Sequence, residues 1–464
     1  MELDRAACYR AIQTRDPRFD GRFFTAVRTT GIYCRPICPA RCPKLENVVF
    51  YPSAAAAQSA GFRPCLRCRP ECSPELGAWR GTSSSVTRAL TLIAEGALDG
   101  AGASVDALAL RLGIGERQLR RLFEQHLGAS PIAVAQTRRV LLAKQLIHET
   151  PMRMVEVAFA AGFGSLRRFN DTFRRLYGRP PSSLRRAHAG GAERGITLTL
   201  GYAPPYDWPA LLESLAERAI PGVEIATAAG YRRTIELSGA HGTLQVAPIR
   251  GRFALAATIQ FPDVRALPAI IRRVQDVFDL RSDVAAIGTH LSEDATLAPL
   301  VAERPGLRVA GGWEPFEVAV RALAGDAVGR LAAAHGESLS GGSQDGLTTV
   351  FPPPERLARA DLERFGLSRA RVCALGALAR AVAAEPQLLA VEGDLATKLA
   401  RLRSLPGIDE ATAHAIAMRA LREPDAFPGT DPGLRARAER WRPWRAYAAQ
   451  HLEAARALDR GAVA

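Results

Sequence analysis

Between residues 86 and 187 the apolar positions fall three and four apart, and the whole pattern then repeats. Leu108-Ala109 followed by Gly113-Ile114-Gly115 returns 49 residues later as Val157-Ala158 followed by Gly162-Phe163-Gly164. Past the turn the offset is 50, pairing Leu119 with Phe169, Phe123 with Phe173, Gly128 with Gly178 and Pro131 with Pro181. Each copy predicts a helix, a glycine turn and a second helix. Flexible connections are expected on either side, at residues 81–85 and 189–193, where Gly, Ser and Ala dominate. The period then changes. Ile196-Thr197-Leu198-Thr199-Leu200 alternates as a strand, residues 208–219 and 264–278 suit helices, and residues 231–237, 243–246 and 254–259 suit short strands. From Arg304-Pro305-Gly306-Leu307 onward the pattern is helical again, broken at Leu405-Pro406-Gly407 before a helix expected over residues 410–422.

Charge divides the chain differently from hydropathy. The formal net charge is +14 over 464 residues. Residues 1–190 hold 29 Lys and Arg against 15 Asp and Glu, whereas residues 191–464 hold 32 of each. The first part therefore carries the electrostatic footprint of a nucleic-acid binder, and the second must recognise any partner by shape and local patches. No run of 18 apolar residues occurs, which argues against a membrane span. The opening Met-Glu-Leu-Asp has no apolar targeting run, so a cytoplasmic location with reduced thiols is expected.

That expectation bears on the cysteines. Cys34 and Cys38 form one short pair and Cys65 and Cys68 another, 26 residues further on. The spacing suits a four-thiolate Zn2+ site, with disulfides as the rival reading. A metal could serve only as a staple here, because about 75 residues bury little core. Yet Arg35, Arg41, Lys44, Arg63, Arg67 and Arg69 crowd the cysteines, which suits contact with a phosphate backbone. Cys42 follows Cys38 at the interval that separates Cys34 from Cys38, and is an alternative ligand.

The phrases Phe24-Thr25-Ala26-Val27-Arg28-Thr29-Thr30-Gly31-Ile32-Tyr33-Cys34-Arg35-Pro36-Ile37-Cys38 and Ala60-Gly61-Phe62-Arg63-Pro64-Cys65 closely resemble the N-terminal domain of the Ada adaptive-response proteins. The resemblance implies that Cys34 both ligates zinc and accepts a methyl group from a methylated DNA phosphate. Cys38, Cys65 and Cys68 would be the other ligands, and Thr30, Arg41 and Arg63 would line the approach to the backbone. A second methyl-accepting motif common in those proteins, Pro-Cys-His-Arg, is absent; Cys373 lies in an apolar helical context and is expected in a core.

In the repeated region, the second helices present Arg117, Gln118, Arg120 and Arg121 in one copy and Ser165, Arg167, Arg168 and Asn170 in the other. Such side chains reach phosphates and base edges in a major groove, although a charged helix face is often only a solvated one. Val157 to Ser165, Arg168-Phe169 and Phe173 to Pro181 resemble the DNA-binding domain of the AraC family of transcription activators. The resemblance implies two recognition helices in successive major grooves of a promoter, with RNA polymerase as a further partner.

The last part reads Leu402-Arg403-Ser404-Leu405-Pro406-Gly407-Ile408-Asp409, later Asp431, then Trp441-Arg442-Pro443-Trp444. A hairpin of this kind points backbone N–H groups from a helix N-terminus at a phosphate, which brings Leu405 and Gly407 to DNA. With Asp431 and the tryptophan block, residues 196–455 resemble the AlkA family of alkylbase DNA glycosylases. The resemblance implies cleavage of the N-glycosidic bond of a flipped alkylated base, with Asp431 as the catalytic carboxylate. By position alone, Asp431 is a helix cap before Pro432. The chain departs from the family at Ala411, Ala415 and Glu453, where pocket aromatics are usual, and at Asp409, where the hairpin usually has glycine.

The fold class expected is multidomain α+β. It comprises a small four-cysteine zinc domain (1–80), an all-α double helix-turn-helix domain (84–188), a small α+β domain (194–303) and an all-α helix-hairpin-helix glycosylase domain (304–460). The function expected is DNA alkylation repair joined to damage-responsive transcription control, with double-stranded DNA as partner. The alternative is a methylation-sensing activator whose glycosylase half is catalytically weakened.

Overall fold

A computed structural model describes residues 4–75, 84–99, 103–185, 195–339, 346–389 and 394–462. The connection expected at 189–193 lies outside the described residues, as do residues 81–83. Ser84 and Ser85, expected in the first connection, belong to the helix Ser84–Ala94. Two compact units form: residues 1–204 with 249–272 and 280–282, and residues 205–248 with 273–279 and 283–464.

The first unit opens with a cysteine-bearing head. Asp4 caps the helix Arg5–Thr14 by accepting from the Ala6 N–H, and a four-stranded sheet follows. Its order is Val48–Tyr51, Phe24–Val27, Ile32–Cys34 and Arg63–Pro64, the last pair parallel and the others antiparallel. Phe24, Ala26, Tyr33 and Ala57 form its small core, with the Ser53-capped helix Ala54–Ser59 on top.

The repeat then appears as two structural copies. Val105–Arg111 and Glu116–Leu127 make one turn motif, and Met154–Ala160 and Leu166–Tyr177 the other, joined by the long helix Pro131–Glu149. The matched residues Leu119, Phe123, Phe169 and Phe173 are all fully buried, so the repeat in sequence is a repeat in packing. Gly113 and Gly162 both take positive φ, 69° and 84°, which is why a glycine stands in each turn. The unit also contains the antiparallel strands Ile196–Gly201 and Ala254–Gln260, in register at Leu198 and Ala257.

The second unit places a meander, Glu224–Thr227, Gly230–Leu237 and Ala240–Pro248, against helices. Arg233, 1% exposed, donates to Glu224 at 3.0 Å and to Glu317 at 2.7 Å, and Arg321 donates to both carboxylates. Buried charges survive only when so paired, and this set ties the meander to the helix Pro315–Ala324. The helical layer continues through Arg369–Ala384, Leu395–Arg403, Glu410–Arg419, Pro432–Ala438 and Arg445–Ala462.

Several expectations need correction. The region after Arg304 is not wholly helical, because Glu337–Ser338 pairs with Thr349–Val350; a two-residue ladder is too short to leave a period. The strand Glu224–Thr227 was not foreseen, and the helices expected over 208–219 and 410–422 end at Ala216 and Arg419. Residues 264–278 split into a short 3₁₀ turn and the helix Leu267–Val277. Cys373 is exposed, because its helix buries the face bearing Ala374, Leu375, Leu378, Ala379 and Val382. Among the described residues, no helix is long and apolar enough to cross a membrane.

Candidate metal centre and nucleic-acid interface

Strand pairing builds the thiolate cluster. Cys34 ends the strand Ile32–Cys34, and the parallel neighbour Arg63–Pro64 delivers Cys65 beside it, its N–H donating to the Tyr33 carbonyl at 3.0 Å. A turn closed by Cys38 N–H on the Arg35 carbonyl brings Cys38 back. Backbone N–H groups of Arg35 and Arg67 donate to the sulfurs of Cys68 and Cys65, each at 3.3 Å. The four sulfurs of Cys34, Cys38, Cys65 and Cys68 lie within 4.8 Å of one another, and no cysteine is in a disulfide. A tetrahedral zinc ion with Zn–S near 2.3 Å separates its sulfurs by about 3.8 Å, so the donor set and its spacing fit Zn2+. Cys42 is exposed, its thiol donating to the Pro43 carbonyl, and stands outside the cluster.

Electrostatics around the cluster separates two kinds of cation. Arg35 is turned inward, donating through two nitrogens to Asp20 and through a third to the Cys68 carbonyl at 3.2 Å. Arg69 also points inward, to Glu71 and Glu149. These two hold the loop rather than face a partner. Thr30, Arg41 and Arg67 are exposed and Arg63 is half-buried. Cys34 and Cys38 are partly exposed, whereas Cys65 and Cys68 are buried.

In the paired turns, Arg117, Gln118, Arg120, Arg121, Arg167 and Arg168 are exposed and Asn170 is half-buried. Arg120 is engaged by Glu116 one turn back, at 2.8 Å. Ser165 is exposed and caps its helix, accepting from the Arg168 N–H at 3.2 Å.

In the second unit, Gly407 has φ +79°, and a Cβ there would stand 2.8 Å from Ala374 Cβ, so the hairpin requires glycine. Leu405 beside it is half-buried. Asp409 caps the helix Glu410–Arg419 through the Thr412 N–H at 2.8 Å, and that backbone bond holds its carboxyl below the ordinary value. Asp431 is exposed and caps Pro432–Ala438, accepting from the Leu434 N–H at 2.6 Å. A salt bridge links the two helices, Arg435 to Glu410 at 3.1 Å, while Arg435 also donates to the Gly429 carbonyl. Ala411 and Ala415 are half-buried one turn apart, and one turn further Arg419 pairs with Glu453 at 2.9 Å.

Three family models match successive parts of the chain: the metal binding domain of Ada at residues 7–71, a helix-turn-helix domain at 108–187 and the AlkA N-terminal domain at 197–314. One relative matches nearly all of it. The "Probable bifunctional transcriptional activator/DNA repair enzyme AlkA" of Mycobacterium tuberculosis is 39% identical, covering 97% of this chain and 96% of its own length. The chain belongs to this AlkA bifunctional family. Parts of it are also similar to separate proteins of Escherichia coli. DNA-3-methyladenine glycosylase 2 is 31% identical over 55% of this chain and 95% of its own. The bifunctional transcriptional activator/DNA repair enzyme Ada is 40% identical over 28% of this chain and 35% of its own.

Two groups of this family member escaped the sequence reading. Asp294, 5% exposed at its side chain, accepts from Arg437, Arg440, the Trp441 indole and the Thr296 N–H, and so anchors the end of the helix that Asp431 begins. Glu71 and Lys144 form a buried pair under the cysteine loop. Both join residues far apart in the chain, and neither lies in a motif, so no local pattern could have marked them.

Proposed function

We propose that the chain repairs alkylated DNA at two sites and reports the damage to a promoter. The observation that carries this is the exposure pattern of the cluster, in which Cys34 and Cys38 are partly exposed and Cys65 and Cys68 are buried, with the resemblance to Ada choosing Cys34 of the two exposed thiols. A bound zinc would keep all four cysteines as thiolates at neutral pH. Cys34 Sγ then attacks the methyl carbon of a DNA phosphotriester; the S–C bond forms, the C–O bond breaks, and the phosphodiester leaves with the electron pair. No proton donor is needed, because the leaving group is a stable anion. Thr30, Arg41 and Arg63 hold the backbone around the triester. The test is mass spectrometry of the Cys34 peptide after incubation with methyl-phosphotriester DNA. One added methyl on Cys34 is expected, and an unmodified Cys34 would end the assignment.

Methylation also supplies a signal. With zinc held by the thiolates of Cys34, Cys38, Cys65 and Cys68 the cluster would carry two negative charges, and methylation of Cys34 would leave one, so repulsion toward the DNA backbone would fall. At an effective dielectric near 20 and about 8 Å, one charge pair amounts to roughly 2 kcal/mol, or about thirtyfold in affinity. The reader, with Arg117, Gln118, Arg120 and Arg121 in one groove and Ser165, Arg167, Arg168 and Asn170 in the next, then holds promoter DNA for RNA polymerase. A cytoplasm, where thiols stay reduced, suits this chemistry.

The second repair site centres on Asp431, with the Leu405–Gly407 hairpin gripping a phosphate. A cationic alkylated purine leaves readily, and the carboxylate stabilises the positive charge that develops on the sugar. A weakened glycosylase is the second reading, favoured by Ala411 and Ala415 and by the Arg419–Glu453 ion pair beyond them, which offer no aromatic face for stacking. Release of free methyladenine from alkylated DNA decides between the two, with Asp431→Asn as the comparison. In this reading residues 1–80 accept the methyl group, 84–188 read the promoter and 304–460 carry the glycosylase site, with 194–303 as a small α+β domain beside it.

A further inference from the structure

Two sets of contacts tie the cysteine head to the rest of the first unit, and a third continues from them. One is dry: Tyr51, Ala55 and Ala56 pack with Ala129, Ala133 and Val134. There Ser53 Oγ donates to the Leu127 carbonyl at 2.6 Å, and a Cβ on Gly128 would stand 3.2 Å from Pro52 and 3.3 Å from Ala56. The second is ionic and buried. Lys144, in the middle of the helix Pro131–Glu149, has no exposed side-chain surface; its ammonium donates to Glu71 and, at 3.0 Å, to the Cys65 carbonyl. Arg69 donates to Glu71 at 3.2 Å and to Glu149 at 2.5 Å. The third extends beyond the head. Glu149 accepts from the Thr199 N–H at 3.1 Å, and Gln145 donates to the Thr199 carbonyl at 2.9 Å, so the same helix grips the strand Ile196–Gly201.

Two cations and two carboxylates cancel in this network. Each would be expelled from a low-dielectric interior if left alone, so any rotation of the head that breaks one pair strands a buried charge. Dry packing of small residues tolerates little rotation either. The network therefore fixes orientation in a way that a linker between residues 75 and 84 could not.

We propose that Glu71, Lys144, Arg69 and Glu149 lock the methyl-accepting head at one angle to the two recognition helices, so that the chain takes a methyl group from a phosphate lying at one set distance from the sequence it reads. Lys144 is a positioning residue in this arrangement, since it touches the carbonyl of a ligand cysteine and not the substrate. The inference rests on the reading of the head and the paired turns as DNA-binding parts.

The test uses the full zinc-loaded chain. A duplex bound by the paired turns is first selected from a random pool with the Cys34-methylated chain, and the unmethylated chain is used from there on. A series is then made in which that duplex carries one methyl phosphotriester at successive positions, and both methyl transfer and equilibrium affinity are measured. The wild type should transfer at one position about tenfold faster than half a helical turn away, because only there can both contacts form at once. Glu71→Gln combined with Lys144→Met leaves no unpaired charge, and should keep its zinc while flattening the positional profile to within about twofold. Lys144→Arg, which retains a cation, should keep the peak. A flat profile in the wild type, an equally sharp peak in the double variant, or loss of zinc from the double variant would each overturn the fixed distance. Failure to select any duplex would instead overturn the DNA-reading assignment beneath it.

Discussion

The indole N–H of Trp441 donates to Asp294 Oδ2 at 3.0 Å, across 147 residues of chain. Arg437 adds two bonds, at 3.0 and 2.6 Å, and Arg440 a third at 3.2 Å, so the helix Pro432–Ala438 is held at its C-terminal end by one carboxylate. Replacing Asp294 by Ala leaves a buried indole N–H and two arginines without their acceptor. A loss of about 2–3 kcal/mol is expected in the second unit, since the arginines are partly solvated and recover some hydration. Thermal unfolding of the two proteins at pH 7 measures it.

The same residue sets a pH dependence. The hydrogen bond from Arg437, with help from Trp441 and the Thr296 N–H, holds the Asp294 carboxyl well below the usual carboxylate range. Its folded value therefore lies under the unfolded value near 3.9. The stability it contributes is present above that unfolded value and is lost as pH falls toward the folded one. Melting curves of wild type and Asp294→Asn should differ by a constant amount from about pH 5 to 8 and converge in stronger acid. Convergence on raising the pH would contradict the assignment.

Metal loss should unfold the head. Cys65→Ser or Cys68→Ser removes a buried ligand, and the small core of Phe24, Ala26, Tyr33 and Ala57 offers little compensation. Purified wild type should contain one zinc per chain, and each variant should lose it together with the sheet of residues 24–64. Metal analysis and circular dichroism report the two losses separately.

Methylating Cys34 should raise promoter affinity by about tenfold or more in dilute salt, and the gain should shrink as ionic strength rises. Titrations of the methylated and unmethylated chain across a salt series would show this. A gain independent of salt would point to a change of shape instead of charge.

Gly407→Ala should destabilise the hairpin by about 2 kcal/mol, through its positive φ and the contact with Ala374. Binding of duplex carrying an abasic mimic should weaken in parallel, while promoter binding by the paired turns is unchanged. Fluorescence titration with the two duplexes separates these effects.

The head's ligand set, the duplicated turns and the hairpin were legible in the chain because each depends on residues a few positions apart. Cys34-Arg35-Pro36-Ile37-Cys38, Gly113 with Gly162, and Leu405-Pro406-Gly407 carry their geometry locally, and turn and helix periods translate such spacing directly into shape. Asp431 stood on the border: its place before Pro432 marked a helix cap, which it is, and only resemblance suggested chemistry. The roles of charged residues were not legible. Arg35 and Arg41 look alike in a basic stretch, yet one is turned inward against Asp20 and the other is exposed. Glu71 and Lys144, 73 residues apart, and Asp294 with Trp441, twice that distance, meet only after the helices have packed. Long-range pairing of charge depends on which groups lose their water together, and burial is a property of the assembled core that local spacing does not encode.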